Sequence, residues 1–354
     1  MAKFFLLQTV APDYRKKLFD TIKNNLGDNF ILAAGEEYFE HTVKTDKSVS
    51  YRKNIKNCFL FNRKVLFQIG MWPDALGSDI VIMEMNPRIL SNWIILLVRK
   101  FTRKKTVLWG HAWPRGGKDS RSDILRHGMR VMASTIITYT KTQAEELREK
   151  IPNKYIVHAP NSLYYTHEMR VGKNTNPTNI IYVGRLTKKK KTVLLVEAFA
   201  QIHDKLPKDA NLIIVGDGEE RKNLRKIIKM YKIENKIKLL GHIGDYNKLE
   251  KLYEDALFSV SPGYVGLSIT QSFGFGVPML ISRNENHSPE IEAAEQGENS
   301  IFFQTDNIHD LTRKILNFYN EKKIWIKKRK SICENCKNNY SIEAMAKTFL
   351  DLYN

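Results

Sequence analysis

The feature that most constrains this chain is a rhythm that occurs twice. Short apolar runs alternate with longer amphipathic ones, first from the N-terminus to about residue 158 and again from residue 180 onward. The first series predicts strands at residues 4–10, 30–33, 65–69, 79–83, 106–109, 135–138 and 155–158. Helices are predicted at 13–25, 89–101, 120–133 and 141–150. The second series predicts strands at 180–183, 212–215, 237–240, 257–260 and 279–281. Its helices are predicted at 193–206, 220–231, 246–253 and 310–319, with a last helix at 341–353. Repeated βα units fold into mostly parallel sheets covered on both faces. Between the two series, residues 160–177 read PNSLYYTHEMRVGKNTNP, a polar, turn-rich lapse. The expectation is an α/β chain of two doubly wound, Rossmann-like domains facing a central cleft. The boundaries are 1–165 for the first domain, 166–178 for a linker and 179–335 for the second domain. Residues 336–354 form a C-terminal helix packing back on the first domain.

Composition narrows the partners. A net charge of +19 over 354 residues favours anionic ones: nucleic acid, an anionic membrane face or phosphorylated substrates. The basic residues are dispersed and match no nucleic-acid motif. Three cysteines make no disulfide framework, and Cys333 and Cys336 read as two thiols on a helix surface, with a metal or redox role as the lesser alternative. The N-terminal apolar run is too short for a secretory signal, and the longest apolar helix, 89–98, is well short of a membrane span. A cytoplasmic protein is expected, peripheral on the inner membrane face if it meets a membrane at all. The basic segments 99–105 and 322–330 suit an anionic lipid surface, the second with Ile324, Trp325 and Ile326 interleaved for shallow insertion. Ordinary solvated faces are the other reading of both.

Doubly wound sheets bind ligands outside the carboxyl ends of their strands. The residues in that position are 11–15, His111, Arg185, Asp217, His242 and the loop 262–267. The stretch 261–290, SPGYVGLSITQSFGFGVPMLISRNENHSPE, runs from a strand through a glycine-bearing loop into a helix start. Such a start offers free backbone N–H groups and the positive end of a helix dipole, and so is an anion site. The acidic pair in Asp217-Gly218-Glu219 is better explained as a tight turn than as a metal site, and no catalytic metal is predicted.

Several blocks, in order, resemble the nucleotide-sugar glycosyltransferases of family 4, which have the two-domain GT-B architecture. In the second half these are Tyr182-Val-Gly-Arg-Leu186 followed by Lys190, then Val215-Gly-Asp-Gly-Glu219, Leu240-Gly-His-Ile243, and Gly266, Leu267, Gly276 and Pro278. In the first half, Tyr14-Arg15-Lys16-Lys17-Leu18-Phe19 resembles a block near the acceptor, Trp109-Gly-His111 the strand end with the active-site histidine, and Asn161-Ser162 the asparagine before the linker. The resemblance implies that Arg185 and Lys190 hold the donor diphosphate with the N–H groups of Gly266 and Leu267. It implies that His111 stands over the donor sugar, that Tyr14 and Arg15 meet the acceptor, and that His242 and Ile243 border the base. Glu290 either binds the nucleotide-sugar or caps a helix.

The family hallmark is two glutamates eight positions apart, and here they fall on Gly263 and Gln271. The resemblance makes these, with Tyr264, the ribose- and sugar-binding positions of a divergent branch similar to bacterial surface-polysaccharide transferases. Gln271 keeps one acceptor and gains donors, whereas Gly263 offers only backbone. The implied activity is transfer of a hexosyl or deoxyhexosyl group, with retention, from a UDP- or GDP-linked donor to a hydroxyl on a glycan or lipid-linked acceptor. The donor is a substrate, and neither a cofactor nor a metal is required. A nucleotide-sugar epimerase of the same architecture, a basic nucleic-acid-binding protein and a non-catalytic partner subunit are the alternatives. Oligomeric state is not legible.

Overall fold

A computed structural model describes residues 3–41, 43–114 and 116–353. The chain forms two compact units: Met1–Leu163 with Ile342–Asn354, and Tyr164–Ser341.

In unit 1 the elements run β1 (Phe4–Val10), α1 (Lys16–Leu26), β2 (Phe30–Gly35), β3 (Lys53–Asn54), β4 (Lys56–Leu60), β5 (Val65–Ile69), α2 (Trp72–Gly77), β6 (Ile80–Glu84), α3 (Leu90–Phe101), β7 (Lys105–Trp109), α4 (Asp123–Met132), β8 (Thr135–Thr138), α5 (Lys141–Lys150) and β9 (Tyr155–His158). Seven strands make one parallel sheet in the order β3-β2-β1-β6-β7-β8-β9. β1 is buried at every position, as a central strand covered on both faces should be. The run at 65–69 is a strand but not part of this sheet, because β4 and β5 form a separate antiparallel hairpin.

Unit 2 continues with β10 (Asn179–Val183), α6 (Thr192–Ile202), β11 (Leu212–Val215), α7 (Arg221–Met230), β12 (Ile237–Gly241), α8 (Tyr246–Glu254), β13 (Ala256–Ser261), α9 (Ser268–Gly274), β14 (Met279–Ser282), β15 (Ser300–Phe303), α10 (Ile308–Asn320) and α11 (Lys322–Tyr340). Its six strands are all parallel, in the order β12-β11-β10-β13-β14-β15. The strand order reverses beside β10, so β10 and β13 diverge into their loops there and leave room for a ligand. The backbone is crowded at this edge. Gly216, just past β11, has φ +146°, and a Cβ on it would lie 1.8 Å from the Gly184 carbonyl oxygen. Only glycine fits.

The last helix, α12 (Ile342–Leu350), belongs to unit 1. Met345, Ala346 and Phe349 are buried with Leu18, Phe19 and Ile22 of α1, and the Phe349 ring meets Trp109 edge-on at 4.9 Å.

The unit boundaries differ from those expected. Residues 166–178 are not a loose linker but are fastened to unit 2. Arg170 Nη2 donates to Glu250 at 2.8 Å, and the Lys173 N–H donates to Glu254 at 2.7 Å. Residues 336–340 remain in α11, and Cys336 donates to the Thr270 carbonyl of α9.

Three expectations drawn from charge and cysteine spacing are corrected by burial. Arg99 is wholly buried and donates to the carbonyls of Ala75, Ser78, Asp79 and Lys105 and to the Thr106 hydroxyl, so it stitches α3 to the sheet and does not face lipid. Trp325 is buried against Phe318 at 4.8 Å, which leaves only Ile324 of that trio exposed and rules out its insertion into a membrane. Cys333 and Cys336 are buried on the inner face of α11 and donate to Gly274 and Thr270 carbonyls. Burial pushes the Cys333 thiol up to about 11 and Cys336 higher still, so both are neutral packing groups and not surface thiols.

Candidate active site

In unit 2 the carboxyl ends of β10 and β13 bring together the two basic and glycine-rich blocks. After Gly184 and the exposed Arg185, residues Lys188–Lys190 make one 3-10 turn, closed by Lys191 at φ +50°. After β13, the chain passes Pro262 and Gly263 and runs alongside that turn. The Tyr264 N–H donates to the Lys189 carbonyl at 3.0 Å. Lys190 Nζ donates to the Tyr264 carbonyl at 2.8 Å and lies 4.7 Å from the Tyr264 ring.

Gly263 is glycine because of this approach. A Cβ there would stand 2.3 Å from the Lys189 carbonyl oxygen and 2.9 Å from the Lys190 carbonyl carbon. A glutamate would force the two segments apart. The hallmark departure at this position is therefore part of the architecture.

Lys190 is held in a demanding environment. Burial, and then the neighbouring Arg185 charge, lower its ammonium to about 8, with Glu290 opposing. Glu290 is buried and accepts from the Ser288 hydroxyl. A second anion near Lys190 would restore its charge. Downstream, Gly266 and Leu267 lead into α9. Their N–H groups precede the first helical turn and have no intramolecular partner among the described residues.

The sequence reading missed His287. Its Nδ1 accepts from the Val265 N–H at 3.0 Å, and its Nε2 lies 2.8 Å from the Ser282 carbonyl. This pairing places the proton on Nε2 and fixes a neutral ring. Burial depresses its pKa in keeping with that. The Ser288 N–H completes the clamp by donating to the Val265 carbonyl at 3.1 Å. The histidine in HSPE was the visible signal, but nothing in its spacing said that it would hold a loop more than twenty residues upstream.

Gln271 is not with this group. Its Nε2 donates to the Tyr164 hydroxyl and its Oε1 accepts from the Tyr253 hydroxyl at 3.4 Å, both interior partners. α9 is buried along residues 269–274, and Gln271 is 8% exposed. His242 and Ile243 follow β12, two strands along the sheet from β10.

In unit 1, His111, Tyr14 and Arg15 gather at the carboxyl ends of β1, β7 and β8. Arg15 donates to Gln8 at 2.7 Å and to the Tyr139 hydroxyl at 2.8 Å, and its guanidinium lies 4.2 Å over the Trp109 ring. Burial opposes its charge, yet Tyr139, Tyr14 and Glu84 more than offset that and hold it above the ordinary arginine value. The His111 ring stacks edge-on against Tyr139 at 4.8 Å. Glu84, at the end of β6, was also missed. It accepts from the Thr9 N–H at 2.7 Å and the Thr9 hydroxyl at 3.0 Å. Burial keeps its carboxyl above the usual carboxylate range. A lone glutamate closing an apolar strand, IVIME, was the signal. Arg15 Nε and Trp109 Nε1 are buried donors without a partner among the described residues.

Comparison with known proteins speaks to family and fold. Residues 166–339 match the family described as glycosyl transferases group 1. An uncharacterized glycosyltransferase of Haemophilus influenzae is 28% identical over 182 residues, 50% of this chain and 49% of that protein. The chain thus spans about half the length of that relative. An uncharacterized glycosyltransferase of Methanocaldococcus jannaschii, MJ1059, is 22% identical over 290 residues, 75% of this chain and 70% of that protein. Among solved structures, Anabaena Alr3699/HepE in complex with UDP superposes with a TM-score of 0.74 at 13% identity, over 99% of each chain. At that identity the likeness speaks for the fold. Residues 166–339 are thus similar to the glycosyl transferases group 1 family, in a chain with the fold of the GT-B glycosyltransferases.

Proposed function

We propose that the protein transfers a sugar from a nucleoside diphosphate donor to a hydroxyl of a glycan or lipid-linked acceptor, with retention of configuration. The observation that carries this reading is Lys190, bonded to the Tyr264 carbonyl of the Gly263–Leu267 segment and close enough to Arg185 to feel its charge, at the carboxyl edge of the unit 2 sheet. A departing nucleoside diphosphate gains negative charge as the glycosidic bond breaks. Fixed cations and backbone N–H groups already in place stabilise that charge without reorganising. Arg185 suits bidentate contact and Lys190 acts as a point charge. In this reading the two cations fill the role that a metal ion plays in other transferases, and the departing phosphate takes the acceptor proton. The tyrosine, histidine and carboxylate cluster of unit 1 supplies hydroxyl contacts. UDP, the nucleotide in the HepE complex, is the first donor base to try, with GDP second.

The test is a thermal-shift screen with UDP- and GDP-sugars, followed by product analysis with the ligand that binds. Binding to the native state raises the melting temperature with concentration. A shift that disappears in Lys190→Met and Arg185→Ala supports the assignment. No shift with any nucleotide overturns it.

A further inference from the structure

Two helices of unit 1 carry an outer face of the wrong polarity for a surface. In α3, Leu90, Ile94, Leu97 and Phe101 recur at helical spacing and form one exposed stripe, with Leu97 51% and Phe101 81% exposed. The opposite side, with Ile95, Leu96 and Arg99, is buried. The helix is therefore apolar on both sides, although a helix on a sheet ordinarily turns polar residues outward. Beside it, α4 exposes Ile124, Leu125 and Val131, with Ile124 75% exposed. The two helices adjoin, since the Trp93 ring of α3 lies 3.5 Å from where a Cβ on Gly128 of α4 would stand. A scattered exposed leucine needs no explanation, but seven large apolar side chains on adjoining helices do.

The charges on and flanking the two helices are mostly cationic. Residues 88–105 contain Arg88, Arg99, Lys100, Arg103, Lys104 and Lys105 and not one Asp or Glu. Arg99 is turned inward, but Lys100 and Arg103 are exposed at the end of α3. The Lys100 charge reaches Lys154, whose Nζ is 3.4 Å from the Val131 carbonyl at the end of α4. Arg121 is exposed just before α4. The single carboxylate in residues 121–134, Asp123, is buried between Arg130 at 2.6 Å and Lys150 at 2.9 Å.

We propose that this α3–α4 face docks on an anionic lipid bilayer. The apolar stripes enter the headgroup–acyl boundary, and the cations meet the headgroups. At 12 residues α3 is about 18 Å long, so it lies along the surface and does not cross it. No described helix is long and apolar enough to span a membrane. A second copy of the chain is the weaker occupant. Isologous pairing through this face would oppose one cationic rim to another on molecules of net charge +19, whereas anionic headgroups turn that rim into attraction. The surface is distinct from the segment 322–330 and does not depend on the glycosyl-transfer reading.

The experiment is co-sedimentation of the full chain with vesicles of phosphatidylglycerol and phosphatidylcholine, against vesicles of phosphatidylcholine alone. Leu97→Glu with Phe101→Glu, and separately Ile124→Glu, alter only exposed side chains, and their melting curves report that the fold is kept. The expected result is binding to the anionic vesicles alone, reduced about tenfold or more in each variant and weakened by salt. Lys100→Ala with Arg103→Ala should weaken binding while leaving the apolar stripe intact. Absence of binding to anionic vesicles, or equal binding by the glutamate variants, overturns the proposal. A dimer in analytical ultracentrifugation that the same variants dissociate overturns it as well, by placing a second copy on the face.

Discussion

Gln271 Nε2 donates to the Tyr164 hydroxyl at 2.7 Å, and that bond faces the interior of unit 2. A glutamate at this position, the residue that the family pattern calls for, would have to shed its water to ionise there. Gln271→Glu is expected to lower stability by about 1–3 kcal/mol at neutral pH, and by less once acid protonates the new carboxyl. Urea unfolding at two pH values measures this. A variant of unchanged stability that binds UDP-sugar more tightly would return position 271 to the ribose.

Restoring a side chain at the other hallmark position should do different damage. Gly263→Ala places a Cβ against the Lys189 carbonyl, which is backbone and cannot swing aside. The expected cost is about 1–3 kcal/mol, together with a loss of nucleotide affinity as Lys190 leaves the Tyr264 carbonyl. Denaturant unfolding combined with nucleotide titration separates the two effects.

Lys190 gives the donor reading a proton signature. Its ammonium is lowered to about 8, so a sizeable fraction is neutral at that pH, and a bound diphosphate draws the proton back. Calorimetry at pH 8 in buffers of differing ionisation enthalpy should show proton uptake on nucleotide binding. Uptake should vanish in Lys190→Met and shrink toward pH 6.

His287 links the same loop to acid. Its folded pKa lies below the ordinary 6.5, so the unfolded chain binds the proton more readily between those two values. Its contribution is complete above 6.5 and is lost as pH falls through the lowered folded value. His287→Ala strands the Val265 N–H and should cost about 1–3 kcal/mol near neutrality. The stability difference from the parent should narrow with acid. A difference independent of pH would show that the ring acts by packing alone.

How much of this was legible follows the physics of each element. The parallel strands were readable because both their faces are buried, so β1, β6, β10 and β13 appear as continuous apolar runs. β3 is only the two polar residues Lys53 and Asn54 and makes no such run. Arg185, Lys190 and the Gly263–Leu267 loop could be named because glycine and cation spacing survive in one dimension. Arg99 and Trp325 misled because a basic run hides the helical period that decides which of its members turn inward. Gln271 pairs with Tyr164, 107 residues away in sequence, and no local pattern shows that. His287 and Glu84 act through partners distant in sequence, and no local pattern reports those.

The return of α12 to unit 1 has a consequence for the order in which the molecule is made. Unit 2 is one uninterrupted segment, Tyr164–Ser341, and can close as soon as it emerges from the ribosome. Unit 1 is synthesised first but lacks the helix that covers Leu18, Phe19, Ile22 and Trp109 until residues 342–352 follow. The earlier-made half thus waits for the later one, with an apolar groove uncovered during translation of the whole intervening unit. Nascent chains stalled near residue 341 should accordingly be the ones that chaperones hold.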